Sequence, residues 1–266
     1  LSTTTIRHMA AAIFCGLLAG CSPPQAAAPA GSAPVQATSV TVAATPLLAA
    51  APCTGAFVTH DLDHTTRAAG PATRLFDSNG SGLAVNDLDG DGDEEIVLAN
   101  LAGPSAILWN QGGLRFERQE LPGLRRTRAV ALVDVDGDSQ RDIVFTSGNA
   151  APALLRNQGD RTFRLTPLPE ISLPAYAMNW ADLNGDSALD LVAGSYDAAR
   201  AIETGSNYLF ESPAGVNVYL HSNSGWQRTQ LAEESQALAV SLWDLNGDGR
   251  PDIWVGNDFD EPDRIW

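Results

Sequence analysis

Sixteen side chains in four nine-residue stretches carry the chemistry most readily legible in this chain. The stretches run 87–95, 134–142, 182–190 and 244–252, and each places an oxygen-bearing side chain at its first, third, fifth and ninth positions. The residues are Asp87, Asp89, Asp91 and Glu95; Asp134, Asp136, Asp138 and Asp142; Asp182, Asn184, Asp186 and Asp190; and Asp244, Asn246, Asp248 and Asp252. A loop that turns alternate side chains inward gathers the first three around one point. Glycines such as Gly247 and Gly249 permit the tight turn, because they reach positive φ without a Cβ clash. Hard oxygen donors of this kind suit Ca²⁺, which takes about 6–8 of them at about 2.3–2.6 Å. A carbonyl near Arg250 and waters would complete the last shell, and up to four Ca²⁺ are expected. The longer arm of Glu95 reaches the same place as an aspartate.

The flanks say what holds these loops. An EF-hand also opens Asp-x-Asp-x-Asp-Gly, but it needs a Glu at position twelve and a helix on each side. Here position twelve is Leu98, Phe145, Ala193 or Val255. The residues after each loop are short apolar runs rich in Ile, Val and Leu, bounded by Gly, Asn and Asp, which read as strands. Each loop therefore joins two strands. First positions lie 47, 48 and 62 residues apart, a spacing that signals a repeat array. Within a unit, third strands are expected at 106–109, 153–156 and 217–220. Asn-Gln-Gly at 110–112 and 157–159 reads as a hairpin, and a fourth strand carries Phe116, Phe163 or Trp226. Four short antiparallel strands per unit make a propeller blade. The fold class is thus all-β, a β-propeller of four-stranded antiparallel blades with about four repeats. The three aromatics are expected to pack blade on blade.

The loops resemble the FG-GAP/VCBS-type repeat of calcium-binding β-propellers, the family that includes the integrin α-chain head. The resemblance implies that each loop lies between the first and second strands of a blade, and that the sixteen residues above are the metal ligands. The segment Gly256–Trp266 also resembles the bacterial branch related to cartilage acidic protein. The ions are expected to brace blades rather than to catalyse, since the protein itself fills each ligand shell.

The third unit is longer, and the extra length falls at 195–210, between its second and third strands. Insertions on one face of a repeat array often form a binding surface. Tyr196, Arg200, Tyr208 and Phe210 are candidates to grip a sugar or peptide, against the plainer reading of a surface hairpin. The chain stops at Trp266, inside the fourth unit. A fragment of a larger ring is expected, the other reading being that residues 56–80 complete the last blade.

The N-terminal part reads as an address. Met9–Gly20 is an uncharged apolar stretch of 12 residues, too short to span a bilayer and right for a signal-peptide core. It ends Leu-Ala-Gly-Cys at Cys21, which resembles the lipobox of bacterial lipoproteins and implies lipidation of Cys21. Residues 1–21 are expected to be the lipoprotein signal peptide, 22–54 a disordered Ala/Pro/Ser/Thr-rich linker and 55–266 the propeller repeats. The linker's random-coil reach is on the order of 30 Å. Of the Cys residues at 15, 21 and 53, only Cys53 would remain free, so no internal disulfide is expected.

Net charge is −16, from 32 acidic and 16 basic residues, and every basic residue is Arg. Such acidity argues against nucleic acid, which needs a basic face. No transmembrane helix is expected, so membrane contact would come through the lipid alone, with the protein exported to the bacterial envelope as an outer-membrane lipoprotein facing the periplasm or the exterior. The four His residues, at 8, 60, 64 and 221, sit in no nucleophile or metal motif. The expected function is a non-enzymatic module that binds a protein or glycan, with no catalytic residue. The alternative is a carbohydrate-active enzyme of polysaccharide lyase type, with His60, His64 or Tyr208 moving the proton.

Overall fold

The structure is a computed structural model and describes residues 55, 57–68, 75–168, 170–205 and 213–266. Cys21, the leader, the linker to residue 54, Tyr208 and Phe210 lie outside the described residues. The chain divides into units 1–58 and 59–266, and every assigned element belongs to the second.

Among the described residues fifteen strands form four antiparallel sheets in chain order. Blade 1 contains β1 (Leu83–Asn86), β2 (Glu95–Leu98), β3 (Ser105–Asn110) and β4 (Phe116–Leu121). Blade 2 contains β5 (Val130–Val133), β6 (Asp142–Phe145), β7 (Ala153–Asn157) and β8 (Phe163–Pro167). Blade 3 contains β9 (Ala177–Ala181), β10 (Asp190–Gly194), β11 (Val216–Ser222) and β12 (Gly225–Ala232). Blade 4 contains β13 (Ala237–Trp243), β14 (Asp252–Asn257) and β15 (Arg264–Ile265). The architecture is the expected all-β propeller. Among the described residues no segment of 57–80 pairs with blade 4, whose three strands are its own.

Strand alternation explains why the sheets stack. Successive side chains on a strand point to opposite faces. Ile143 and Phe145 of β6 meet Val97, Ile107 and Trp109 of blade 1, while the intervening Val144 meets Leu191 and Tyr219 of blade 3. In β10, Leu191 and Ala193 face blade 2 while Val192 faces blade 4, beside Ile253 and Val255. The second strand of a blade is thus apolar on both faces, as Glu-Ile-Val-Leu and Asp-Ile-Val-Phe are. Each large side chain so buried contributes about 1.5–3 kcal/mol. Phe163 of blade 2 stacks on Trp109 of blade 1 at 6.3 Å, the expected blade-on-blade role, whereas Trp226 meets Trp180 of its own blade edge-on at 6.0 Å, and the two together pack against the cluster of Val144 and Leu154 in blade 2. The far face of blade 4 leaves Trp243, Trp254 and Ile265 exposed.

The four blades share an axis. One cavity of about 540 Å³ is lined by Gly82 before β1, Arg128 before β5, Met178 in β9 and Val240 in β13. The starts of the four innermost strands therefore face one another, and their ends lie together at the opposite rim. A short 3-10 turn, Leu75–Asn79, lies against three blades. The Arg128 guanidinium donates to the Phe76 carbonyl at 2.8 Å, Asn79 donates to the Tyr176 hydroxyl at 3.0 Å, and Phe76 packs edge-on against Tyr196 of blade 3 at 5.1 Å and Phe259 of blade 4 at 6.3 Å.

The long connection in blade 3 contains a helix, α1 (Asp197–Thr204), rather than an extra hairpin. Its Ala-rich sequence favours helix. Ala199 and Ala201 are buried, and Gly205 ends it in the left-handed conformation at φ 71°. Asp197 ties the first turn down by accepting from the Ala214 and Ser235 amides at 3.1 and 3.0 Å.

The blade 3–blade 4 contact is close enough to test by substitution. A Cβ on Gly194 would stand 2.6 Å from the Ala237 Cβ. Gly194→Ala should cost about 1–3 kcal/mol by forcing the two sheets apart. Urea unfolding reads this directly, and an unchanged midpoint would contradict the packing.

Candidate metal centres

The four acidic loops leave the innermost strand of each blade and enter the second, so all four crowd one rim. The first-position aspartate shapes each turn. Asp87 accepts from the Gly90 and Gly92 amides at 2.7 and 3.1 Å. Asp134 accepts from Gly137 and Ser139 at 2.7 and 2.8 Å, Asp182 from Gly185 and Ser187 at 2.7 and 2.8 Å, and Asp244 from Gly247 and Gly249 at 2.6 and 2.8 Å. The backbone is left-handed at the fourth and sixth positions of every loop. Glycine takes that conformation freely. At the sixth position of loops 2 and 3 it is Ser139 and Ser187, at φ 71° and 70°, held there by the amide bond to the first aspartate. The fifth-position aspartate then accepts from the seventh amide: Asp91 from Asp93, Asp138 from Gln140, Asp186 from Ala188 and Asp248 from Arg250, all at 2.8–2.9 Å.

The ninth residue has a second task. Glu95 brackets the loop, one oxygen accepting from the Leu88 amide at 2.8 Å and the other from Asn110 at 3.4 Å, at the end of the third strand. Asp142 joins Val135 to Asn157, and Asp190 joins Leu183 to His221, in the same way. Asp252 accepts from the Leu245 amide and from the Asn246 side chain. Glu95, Asp142 and Asp190 are buried. Burial pushes all three carboxyls above their ordinary values, against the pull of their amide partners. Asp182, half-buried, moves the other way because the Ser187 amide and its neighbours favour the carboxylate.

Carboxylates converge in two of the loops. Oxygens of Asp87, Asp89 and Glu95 lie within 4.8 Å of one another, as do those of Asp134, Asp136 and Asp138. Loops 3 and 4 have an amide, Asn184 or Asn246, at the third position, and among the described residues no three of their carboxylates converge so closely. The two triads could hold a metal ion. Their donor set is oxygen only, which fits a hard divalent cation such as Ca²⁺. Asp91 and Asp142 stand outside these triads but within the same loops.

Two arginines that the spacing of the loops did not reveal complete the rim. Arg161, in the β7–β8 hairpin, donates twice to Asp89, at 3.0 and 2.9 Å, and lies 4.7 Å over the Trp109 ring. Arg156, in β7, pairs with Asp136. The Asn-Gln-Gly hairpin is also more than a turn: Asn157 donates to the carbonyls of Leu88 and Arg141, linking loop 1 to loop 2. Repetition of Asn-Gln-Gly at the end of a third strand was the available clue.

The other sequence candidates are scattered. Tyr196 is buried and donates to Asp258 at 2.6 Å, and burial, with that carboxylate, pushes its hydroxyl well above the usual range. It is therefore a core residue and not a surface grip. His60 is exposed, whereas His64 lies against the Ala99 carbonyl at 3.3 Å and is pushed down by burial.

The buried bracket predicts a pH signature. A carboxyl whose value is higher folded than unfolded binds more protons in the fold, so it adds stability as pH falls through that window. With calcium chelated, the stability difference between wild type and Glu95→Gln should move in favour of wild type as pH falls from 7 toward the ordinary carboxylate value of about 4. Thermal melts of both proteins across that range check this, and a difference independent of pH would contradict it.

Comparison with known proteins adds a sequence-level finding. A family model described as an FG-GAP-like repeat matches residues 87–145 and again 134–193. Each match starts at a first-position aspartate and runs through the next acidic loop into the strand beyond it. A comparison with curated proteins gives no match. Residues 87–193 are thus similar to FG-GAP-like repeats, and in the structure they lie in blades of a β-propeller whose acidic loops join the first and second strands of each blade.

Proposed function

We propose that this chain is a calcium-braced propeller that binds another macromolecule, a protein or a glycan, and catalyses no reaction. In this reading it belongs to the bacterial branch related to cartilage acidic protein. It is exported and held at the envelope by a lipid on Cys21, with residues 22–54 as the tether. The observation that carries the calcium part is the common hydrogen-bond frame of the four loops. The same first- and fifth-position aspartates hold the same turn in every blade, whatever the intervening residues.

Calcium would supply positive charge where carboxylates crowd. Asp89 and Asp136 stand beside the first-position aspartates, and Glu95 and Asp142 add buried negative charge behind them. A cation shared by these oxygens offsets their repulsion and ties the loop to the third strand through the ninth residue. All four sites would then stiffen one rim, leaving the opposite rim and the α1 connection to vary.

The test is the melting temperature of the chain in EDTA, in 1 mM Ca²⁺ and in 1 mM Mg²⁺. Extracellular calcium sites have Kd values of about 10⁻⁴–10⁻³ M, so each site adds about 0.4–1.4 kcal/mol at 1 mM. Four sites raise Tm by several degrees in a domain of about 200 residues. A rise with Ca²⁺ that Mg²⁺ does not reproduce is the expected result. Identical melts in all three would remove calcium from the account.

A further inference from the structure

An arginine stands beside a loop wherever the third-position ligand is a carboxylate. In loop 1 that residue is Asp89, and Arg161 takes its Oδ2 with both Nε and a terminal nitrogen. In loop 2 it is Asp136, and Arg156 takes its Oδ2. In loops 3 and 4 the residue is Asn184 or Asn246, whose oxygen accepts instead from the Asp186 or Asp248 amide at 2.9 or 2.8 Å. Among the described residues no arginine pairs with a proposed ligand of loops 3 and 4.

The pairing offsets charge at the ligand positions. The four ligand carboxylates of loop 1 or loop 2 carry a formal −4, and one guanidinium brings each set to −3, while loop 1 carries Asp93 and Glu94 besides. The three ligand carboxylates of loop 3 or loop 4 carry −3, and loop 4 adds Arg250. The two arginines reach their loops from different places. Arg156 comes from the third strand of the same blade, whereas Arg161 comes from the hairpin of the next blade, held over Trp109 and 3.7 Å from Glu117. No single local motif produces both; what they share is the pairing with a third-position carboxylate.

We infer that Arg161 and Arg156 are resident counter-cations that lower the calcium affinity of loops 1 and 2 and hold those two loops together when calcium is absent. The inference rests on the calcium reading above. Each guanidinium occupies one oxygen of the third-position carboxylate and leaves Oδ1 for the ion. A positive charge one carboxylate away repels a divalent ion, which weakens binding roughly tenfold even when the pair is screened as in bulk water. Without the ion, the same charge offsets repulsion among the carboxylates. Arginine suits this better than lysine in one respect, its planar fork, which fixes the Asp89 carboxylate.

The experiment is a calorimetric titration of Ca²⁺ into the full chain, alongside melts in EDTA, for wild type, Arg161→Gln, Arg156→Gln and Arg161→Lys. Each Gln variant should tighten one class of site roughly tenfold and, in EDTA, melt below wild type. Arg161→Lys, which keeps the charge, should stay near the wild-type affinity. Gln variants that bind calcium as wild type does, or more weakly, would overturn the inference and leave the arginines as ion pairs that position ligands. A wild-type chain that takes up no calcium would overturn the calcium reading itself, and this inference with it.

Discussion

Each loop depends on one aspartate that turns its carboxylate back onto the amides of its own turn. That bond set draws two or three N–H groups to Asp87, Asp134, Asp182 or Asp244 and fixes the left-handed residues that follow. The turn is then narrow enough to bring the third, fifth and ninth side chains toward one place. Narrowness has a consequence, because like charges gather within a few ångströms of one another. The rest of the rim answers that crowding. The ninth carboxylate is buried but accepts backbone amides in compensation. The third is matched by an arginine or exchanged for an amide. A bound cation would complete the set.

The sheets supply the framework that makes such a rim affordable. Second strands that are apolar on both faces stack one blade on the next, and a close approach such as that of Gly194 to Ala237 keeps the blades in register. The loops inherit their mutual positions from this stacking. Asn157 and Arg161 show the inheritance most clearly, since both belong to blade 2 and both act on loop 1. Stability of the blades and arrangement of the acidic rim are therefore coupled, and a change in one blade is felt at its neighbour's loop.

Much of this was legible in the residues. The nine-residue frame located all four turns, and the apolar runs after it located the second strands to within a residue, because a strand buried on both faces must be apolar throughout. The fold class followed from the spacing of the frame. Three features were hidden. The helix at Asp197–Thr204 lay in a stretch whose extra length read as a binding insertion or a surface hairpin, while its alanines decided the outcome. The bracket made by Glu95, Asp142 and Asp190 was hidden because a ligand and a buried hydrogen-bond acceptor look alike in sequence. The arginine pairs were hidden because Arg161 is 72 residues from Asp89, and only the blade stacking brings them together.

The most direct test of the account is the calcium content of the chain at saturation, measured by equilibrium dialysis and elemental analysis. Four ions per chain in wild type, and three in Asp182→Ala, which removes the first-position aspartate of loop 3, is the predicted result. No bound calcium, or a count that Asp182→Ala leaves unchanged, would contradict it.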